Sequence, residues 1–264
     1  MEPVIVLIHD MWHTPGVYRS YIRALEQAMF RVYCPLLPTC DLSLPPDRRS
    51  VLNDLFVLSG LLKSLIAAGS KVIMVMHGYG GTIGSNIPGT LSFDYRAARG
   101  ERGGIIHLLY MCAYILPTER SIVDLGLWGN TTGTHNLPGN PQRDLFTGVG
   151  PEEVKRCIRL LVPVPELVVR TRLTQEAWKH IPCTYLFTRN DCAVWLELQR
   201  VMAEPIKRSG KRYGQKVYDA GHSVYLSHTR EMVEEVQAIC GVFWEQPLRQ
   251  TREQPLRQSR MGGA

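Results

Sequence analysis

The stretch Lys71 to Thr82, KVIMVMHGYGGT, constrains this chain more than any other. Val72 to Met76 is a short apolar run rich in β-branched residues, the pattern of a strand buried on both faces. Gly78, Gly80 and Gly81 then crowd into a sharp turn, behind which a helix can begin. Strand, tight turn and helix form the frame that presents a nucleophile in the motif G-x-S-x-G. Here the frame reads Met76-His77-Gly78-Tyr79-Gly80, so the nucleophile position is a glycine with no side chain to attack anything.

The rest of the chain alternates strands and helices around this stretch. Val4 to Ile8 reads as a buried strand, and Tyr18, Tyr21, Ile22, Leu25 and Met29 repeat at helical spacing. Arg31 to Cys34 is a short strand, followed by a proline-rich loop through Pro46. Val51, Leu55, Leu58, Leu62 and Leu65 mark a long helix that stops at Gly69. Phe93 to Gly104 reads as a surface loop before a strand over Ile105 to Met111. Between Tyr114 and His180 the rhythm changes. Pro151-Glu152-Glu153 opens a helix with Val154, Cys157, Ile158 and Leu161 inward. Strands at Thr184–Thr188 and Lys216–Tyr218 then alternate with helices at Trp195–Ile206 and Arg230–Phe243.

Repeated β-α units with apolar strands predict an α/β fold: a mostly parallel central sheet, helices on both faces, and an inserted helical cap. The expected divisions are a core over 1–113 and 181–244, a cap over 114–180 and a disordered basic tail over 245–264. The tail repeats EQPLRQ and holds four Arg against two Glu, part of a net charge of +6. No Lys/Arg stripe accompanies that charge, so a nucleic-acid partner is not expected. Seven cysteines without CxxC pairing, no basic leader and no long apolar segment predict a cytoplasmic protein with no membrane partner. Neither a metal site (no H-E-x-x-H, no Cys/His pairs) nor a cofactor is expected, since the GYGG turn lacks the dinucleotide pattern.

Three further segments carry a family likeness. VLIHDMWHTPGVY resembles the VLVHGAWHTPxxY of the small esterase and hydroxynitrile-lyase branch of the α/β-hydrolase superfamily, which includes many fungal biosynthetic hydrolases. YLFTRNDCAVWLELQ and DAGHSVYLSHTREMVE resemble that branch's YLxCxxDxAxPxxxQ and xAGHSPxLSxPxxV, in the same order. The resemblance implies Asp191 as the triad acid, His222 as the triad base, and the amides of Met11 and Tyr79 as an oxyanion hole. It also shows three departures: Gly78 at the serine position, Met76 two residues before it, and Asp10 where the branch carries glycine.

Asp10 has a bland reading, a carboxylate capping its own turn. In the functional reading it faces an apolar pocket, which would raise its pKa and let it hold a proton as the acid partner of a basic His222. Trp12 and Tyr79, fixed by motif position, are expected to bind substrate; Trp128, Phe146 and Trp195 are further cavity candidates. His13 and His77 read as structural. The expected function is therefore acid/base chemistry without serine, of lyase, isomerase or cyclase type, on a small apolar oxygenated natural product in secondary metabolism. A hydrolase, using water or disarmed by loss of its serine, and a non-catalytic ligand-binding protein are the alternatives. The expected partner is a small molecule, with a homodimer left open.

Overall fold

The computed structural model describes residues 2–126 and 137–245. Six strands form one sheet in the order β2-β1-β3-β4-β5-β6, every neighbouring pair parallel. They are β1 (Val4–Ile8), β2 (Arg31–Tyr33), β3 (Lys71–His77), β4 (Gly104–Met111), β5 (Cys183–Thr188) and β6 (Tyr213–Tyr218). Every residue of β1, β4 and β5 is buried. Because side chains alternate across a strand, this requires cover on both faces of the sheet. The outer strands β2 and β6 are the partly exposed ones.

The helices in chain order are α1 (Arg19–Gln27), α2 (Val51–Ala67), α3 (Gly80–Ser85), α4 (Phe93–Ala97), α5 (Pro141–Phe146), α6 (Pro151–Ile158), α7 (Leu167–Arg170), α8 (Leu196–Lys207), α9 (Val224–Ser227) and α10 (Thr229–Glu245). Ser50 caps α2 by accepting from the Asn53 amide, and Gly69 leaves the far end with φ 83°. Among the described residues no helix is long and apolar enough to cross a membrane.

Four expectations are corrected. Phe93 to Gly104 is not all loop: Ser92 accepts from the Tyr95 amide and starts α4 there. Strand β6 begins three residues before Lys216, at Tyr213. Met29 is 81% exposed, because α1 ends at Gln27 and Met29 turns the chain at φ 68°. Ile158 closes α6 at the surface rather than facing inward. The segment 114–180 supplies α5, α6, α7 and short turns, and no strand among its described residues. Trp128 and the tail beyond residue 245 lie outside the described residues.

The register brings one end of the sheet level. Ile8 pairs with Met76, His77 with Met111, Met111 with Leu186 and Thr188 with Tyr218. The loops that follow β1, β3, β4, β5 and β6 therefore meet at the carboxyl edge, where parallel sheets present their ligand sites.

Candidate active site

Asp191 and His222 meet from the loops after β5 and β6. His222 Nδ1 donates to Asp191 Oδ2 at 2.9 Å, and both residues are buried. Asp191 is held from all sides. Its Oδ1 accepts from the amides of Ala193 and Val194, both at 2.8 Å, and its Oδ2 from Thr188 Oγ1 at 2.9 Å. Behind it sits Gln199 of α8, fully buried, donating to Thr188 Oγ1 and to the carbonyls of Thr188 and Val194 and accepting from the Thr188 amide. Gln199 is the residue that sequence reasoning passed over. It ends the YLFTRNDCAVWLELQ segment, and the Gln that closes the resembled pattern YLxCxxDxAxPxxxQ was the available signal.

The other half of the site comes from β1 and β3. Gly78 adopts φ 49°, and its neighbours Gly80 and Gly81 let α3 start against β1 and the loop after β4. A Cβ on Gly80 would stand 2.2 Å from the Ile8 carbonyl oxygen, and one on Gly81 2.5 Å from that of Tyr114. A Cβ on Gly78 meets something else. It would lie 2.1 Å from Asp10 Oδ1, 2.2 Å from Cγ and 2.7 Å from Oδ2. The Asp10 carboxylate thus fills the volume in which a side chain at residue 78 would begin. Met76 is accommodated in the same way, its Sδ lying where a Cβ on Gly84 would stand.

In that position Asp10 joins the two halves. Its Oδ2 is 3.0 Å from His222 Nε2, and its Oδ1 accepts from the Tyr79 amide at 2.5 Å. His222 therefore lies between two carboxylates, each 3.0 Å or less from one ring nitrogen. Burial would depress an imidazole, but the charge of Asp191 and the hydrogen bonds to Asp10 and Asp191 raise His222 well above its ordinary value. Burial would raise the Asp10 carboxyl, yet the hydrogen bond and charge of His222, with His77 and His13 behind, hold it well below the usual carboxylate range. This reverses the expected protonation: Asp10 is the anion and His222 carries the proton. The apolar surroundings were foreseen; the N–H aimed at Asp10 was not.

The histidines around the pair are neutral and set by hydrogen bonds. The Asp10 amide donates to Tyr18 Oη at 2.9 Å, so Tyr18 donates onward to His77 Nδ1 at 2.7 Å. His77 Nε2 then donates to the His222 carbonyl at 3.0 Å, which also receives the Cys112 thiol at 3.1 Å. Burial and the nearby His222 charge hold His77 well below the ordinary histidine value. The ligand atoms of His77, Cys112 and His222 lie within 4.8 Å of one another. In this structure His77 and Cys112 donate to the His222 carbonyl, while the His222 ring nitrogens go to Asp10 and Asp191. His9 Nδ1 donates to the Asp10 carbonyl and its Nε2 accepts from the Leu37 amide, with burial lowering its pKa to about 4.

The remaining expected site residues divide. Met11 sits in the β1 loop, its carbonyl taken by His13 Nδ1 at 2.8 Å. Trp12 is in the same loop, buried and at φ 63°. Tyr79 contributes its amide, but its ring is fully buried and its hydroxyl donates to Asp54 Oδ2 at 2.8 Å, so its side chain braces the turn against α2. Phe146 is buried with its ring centroid 5.9 Å from that of His13. Trp195 caps α8 and is 46% exposed, away from a buried role. Segment 114–180 touches the site directly: the Ser223 amide donates to the Leu145 carbonyl and the Val162 amide to that of Trp12.

An all-parallel sheet with a glycine turn after β3, an acid after β5 and a histidine after β6 defines a class. The chain matches the model of the alpha/beta hydrolase family over residues 5–235 and belongs to that family. It is 24% identical over 259 residues to the "Probable hydrolase R7" of Phoma sp. (strain ATCC 20986 / MF5453), covering 91% of this chain and 99% of that protein. In fold it is similar to tomato methylketone synthase I complexed with 2-tridecanone (TM-score 0.69, 14% identity, 92% of this chain and 99% of that one). It is also similar to polyneuridine aldehyde esterase (TM-score 0.67, 16% identity, 90% and 99%) and to the Arabidopsis methylesterase MES16 (TM-score 0.67, 20% identity, 92% and 99%).

Proposed function

We propose that this protein is an alpha/beta-hydrolase-fold enzyme that works without a serine nucleophile, with Asp10 as base and His222 as acid. The observation that carries the reading is the position of the Asp10 carboxylate, inside the space of a side chain at Gly78 and bonded to both His222 Nε2 and the Tyr79 amide. In this reading Gly78 replaces a serine and Asp10 replaces a glycine, as one exchange of volume. A carboxylate and an imidazolium 3.0 Å apart can remove a proton at one atom and return it at another. Asp191 keeps His222 cationic and oriented. Such a pair suits elimination, isomerisation or cyclisation of a small, mostly apolar oxygenated substrate in secondary metabolism, with segment 114–180 as the cap.

A second reading, hydrolysis of an ester by water deprotonated at Asp10, is favoured by the hydrolase name of the Phoma relative and the esterase names among its fold neighbours. Two experiments separate them. Proton abstraction from carbon is followed as deuterium exchange into 2,4-pentanedione: wild-type protein accelerates it, and Asp10→Asn and His222→Ala do not. Equal exchange by wild-type and Asp10→Asn protein ends the acid/base reading. Turnover of short-chain aryl esters by wild-type protein that is lost in Asp10→Asn would install the hydrolytic one.

A further inference from the structure

The Tyr79 amide and both ring nitrogens of His222 end on carboxylates of the site itself, the amide on Asp10 Oδ1 and the nitrogens on Asp10 and Asp191. The acceptors are not balanced in the same way. His9 and His77 have partners on both nitrogens. His13 does not. Its Nδ1 donates to the Met11 carbonyl, so its Nε2 carries the lone pair, and that atom is buried with no hydrogen-bond partner among the described residues. The ring is fully buried, with Nδ1 4.0 Å from Asp10 Oδ2 and Phe146 beside it.

A buried acceptor without a donor is destabilising, and native proteins keep few of them. The atom is also unable to recruit its own proton, since burial lowers the His13 pKa. We propose that His13 Nε2 is a ligand subsite that accepts a hydrogen bond from a hydroxyl of the substrate, an alcohol, enol or phenol held next to Asp10. A carbonyl oxygen would only add a second acceptor beside His13 Nε2, whereas a hydroxyl supplies the donor that this atom lacks. The inference rests on the acid/base reading for where the substrate sits, not for what happens to it.

The test uses full-length protein labelled with 15N-histidine, with phenol and its methyl ether anisole as probes. Phenol is expected to shift the His13 Nε2 resonance and to bind about tenfold more tightly than anisole, the effect of one hydrogen bond. His13→Phe, which keeps ring bulk and removes the acceptor, should abolish that preference. Equal affinities, no binding of phenol, or saturation that leaves His13 Nε2 unmoved overturns the subsite. Should His13→Phe not fold, the wild-type resonance decides alone. The two readings fail separately. An Asp10→Asn protein that loses exchange but still prefers phenol leaves the subsite standing. Wild-type protein that exchanges protons yet ignores phenol sinks the subsite and spares the acid/base pair.

Discussion

The two halves of the site are built on opposite plans. Around Asp191 and His222, many hydrogen bonds converge on one carboxylate. Around Asp10 and Gly78, two residues far apart in sequence share one volume. The first half can be damaged gradually, because each donor to Asp191 is one of several. The second is a single steric solution. With the Asp10 carboxylate 2.1 Å from where a Cβ on Gly78 would lie, residue 78 cannot grow unless Asp10 moves or shrinks. On the proposed reading, this fold takes up new chemistry where residues of two strand ends trade volume, while the Asp191–His222 half keeps its hydrogen-bonded frame.

The comparison breaks most visibly in catalysis. Asp10→Asn keeps the size of the side chain and removes the anion, so carbon-acid exchange should fall by roughly two to four powers of ten, and His222→Ala should match it. The double variant should be no worse than either single one, since both belong to one proton path. Rates should hold level through neutral pH. Asp10 titrates well below the usual carboxylate range and His222 well above the usual imidazole value, so activity should decline only at the extremes, in strong acid as Asp10 takes up a proton and at the alkaline end as His222 loses one. A rate that rises through pH 6 to 7 contradicts the assigned protonation.

The steric claim is tested by Gly78→Ser. The new Cβ overlaps Asp10, and a positive φ is imposed on a side chain, so together these should cost about 4 kcal/mol in a denaturant melt. Pairing it with Asp10→Gly should recover most of that loss and leave a hydroxyl facing His222. The double variant is then expected to be labelled by fluorophosphonates, which wild-type protein should resist. A well-folded single Gly78→Ser protein would mean that Asp10 moves freely, and the exchange-of-volume reading would fall.

Sequence and structure part at identifiable places. The sheet was legible because its strands are apolar runs ended by glycine, proline or charged turns, and parallel order follows from the helices between them. Asp191 and His222 were legible through the family resemblance of the YLFTRNDCAVWLELQ and DAGHSVYLSHTREMVE segments, each of which carries its residue in the loop after a strand. The meeting of Asp10 and Gly78 was not, since a side chain's occupancy of another residue's space has no periodicity. The protonation of Asp10 depended on the direction of one imidazole nitrogen. Met29 was misplaced because its spacing continues that of α1 past a helix end that no glycine or proline announces.

Asp54 sharpens the contrast from beneath the glycine turn. Buried in α2, it accepts from the Thr39 amide and hydroxyl and from the Tyr79 hydroxyl, and burial raises its pKa to about 6. A folded-state pKa above the unfolded value near 3.8 gives stability that is full below pH 4 and is lost as pH rises through 6. The loss should reach about 3 kcal/mol, and Asp54→Asn should remove it. Urea melts of both proteins at pH 4.5 and 7.5, between which about 2 kcal/mol of this loss falls, measure the difference. Parallel curves would show that Asp54 keeps an ordinary pKa and that its donors outweigh its burial.

Gln199 provides the smallest and most specific test, on the half built by convergence. Replacing it with Leu preserves apolar volume but strands the amide and carbonyl of Thr188 and the carbonyl of Val194, at an expected cost of about 2 kcal/mol. Three donors would still reach Asp191 besides His222. The rate of carbon-acid exchange should then drop less than tenfold, and its alkaline limit should move down slightly as Asp191 holds His222 less firmly. Gln199→Glu is the harsher variant, since it places a second carboxyl beside Asp191. If Gln199→Leu instead abolishes exchange with its stability intact, Asp191 depends on one partner rather than many. The two halves would then be equally brittle, and the contrast between them would lose its physical basis.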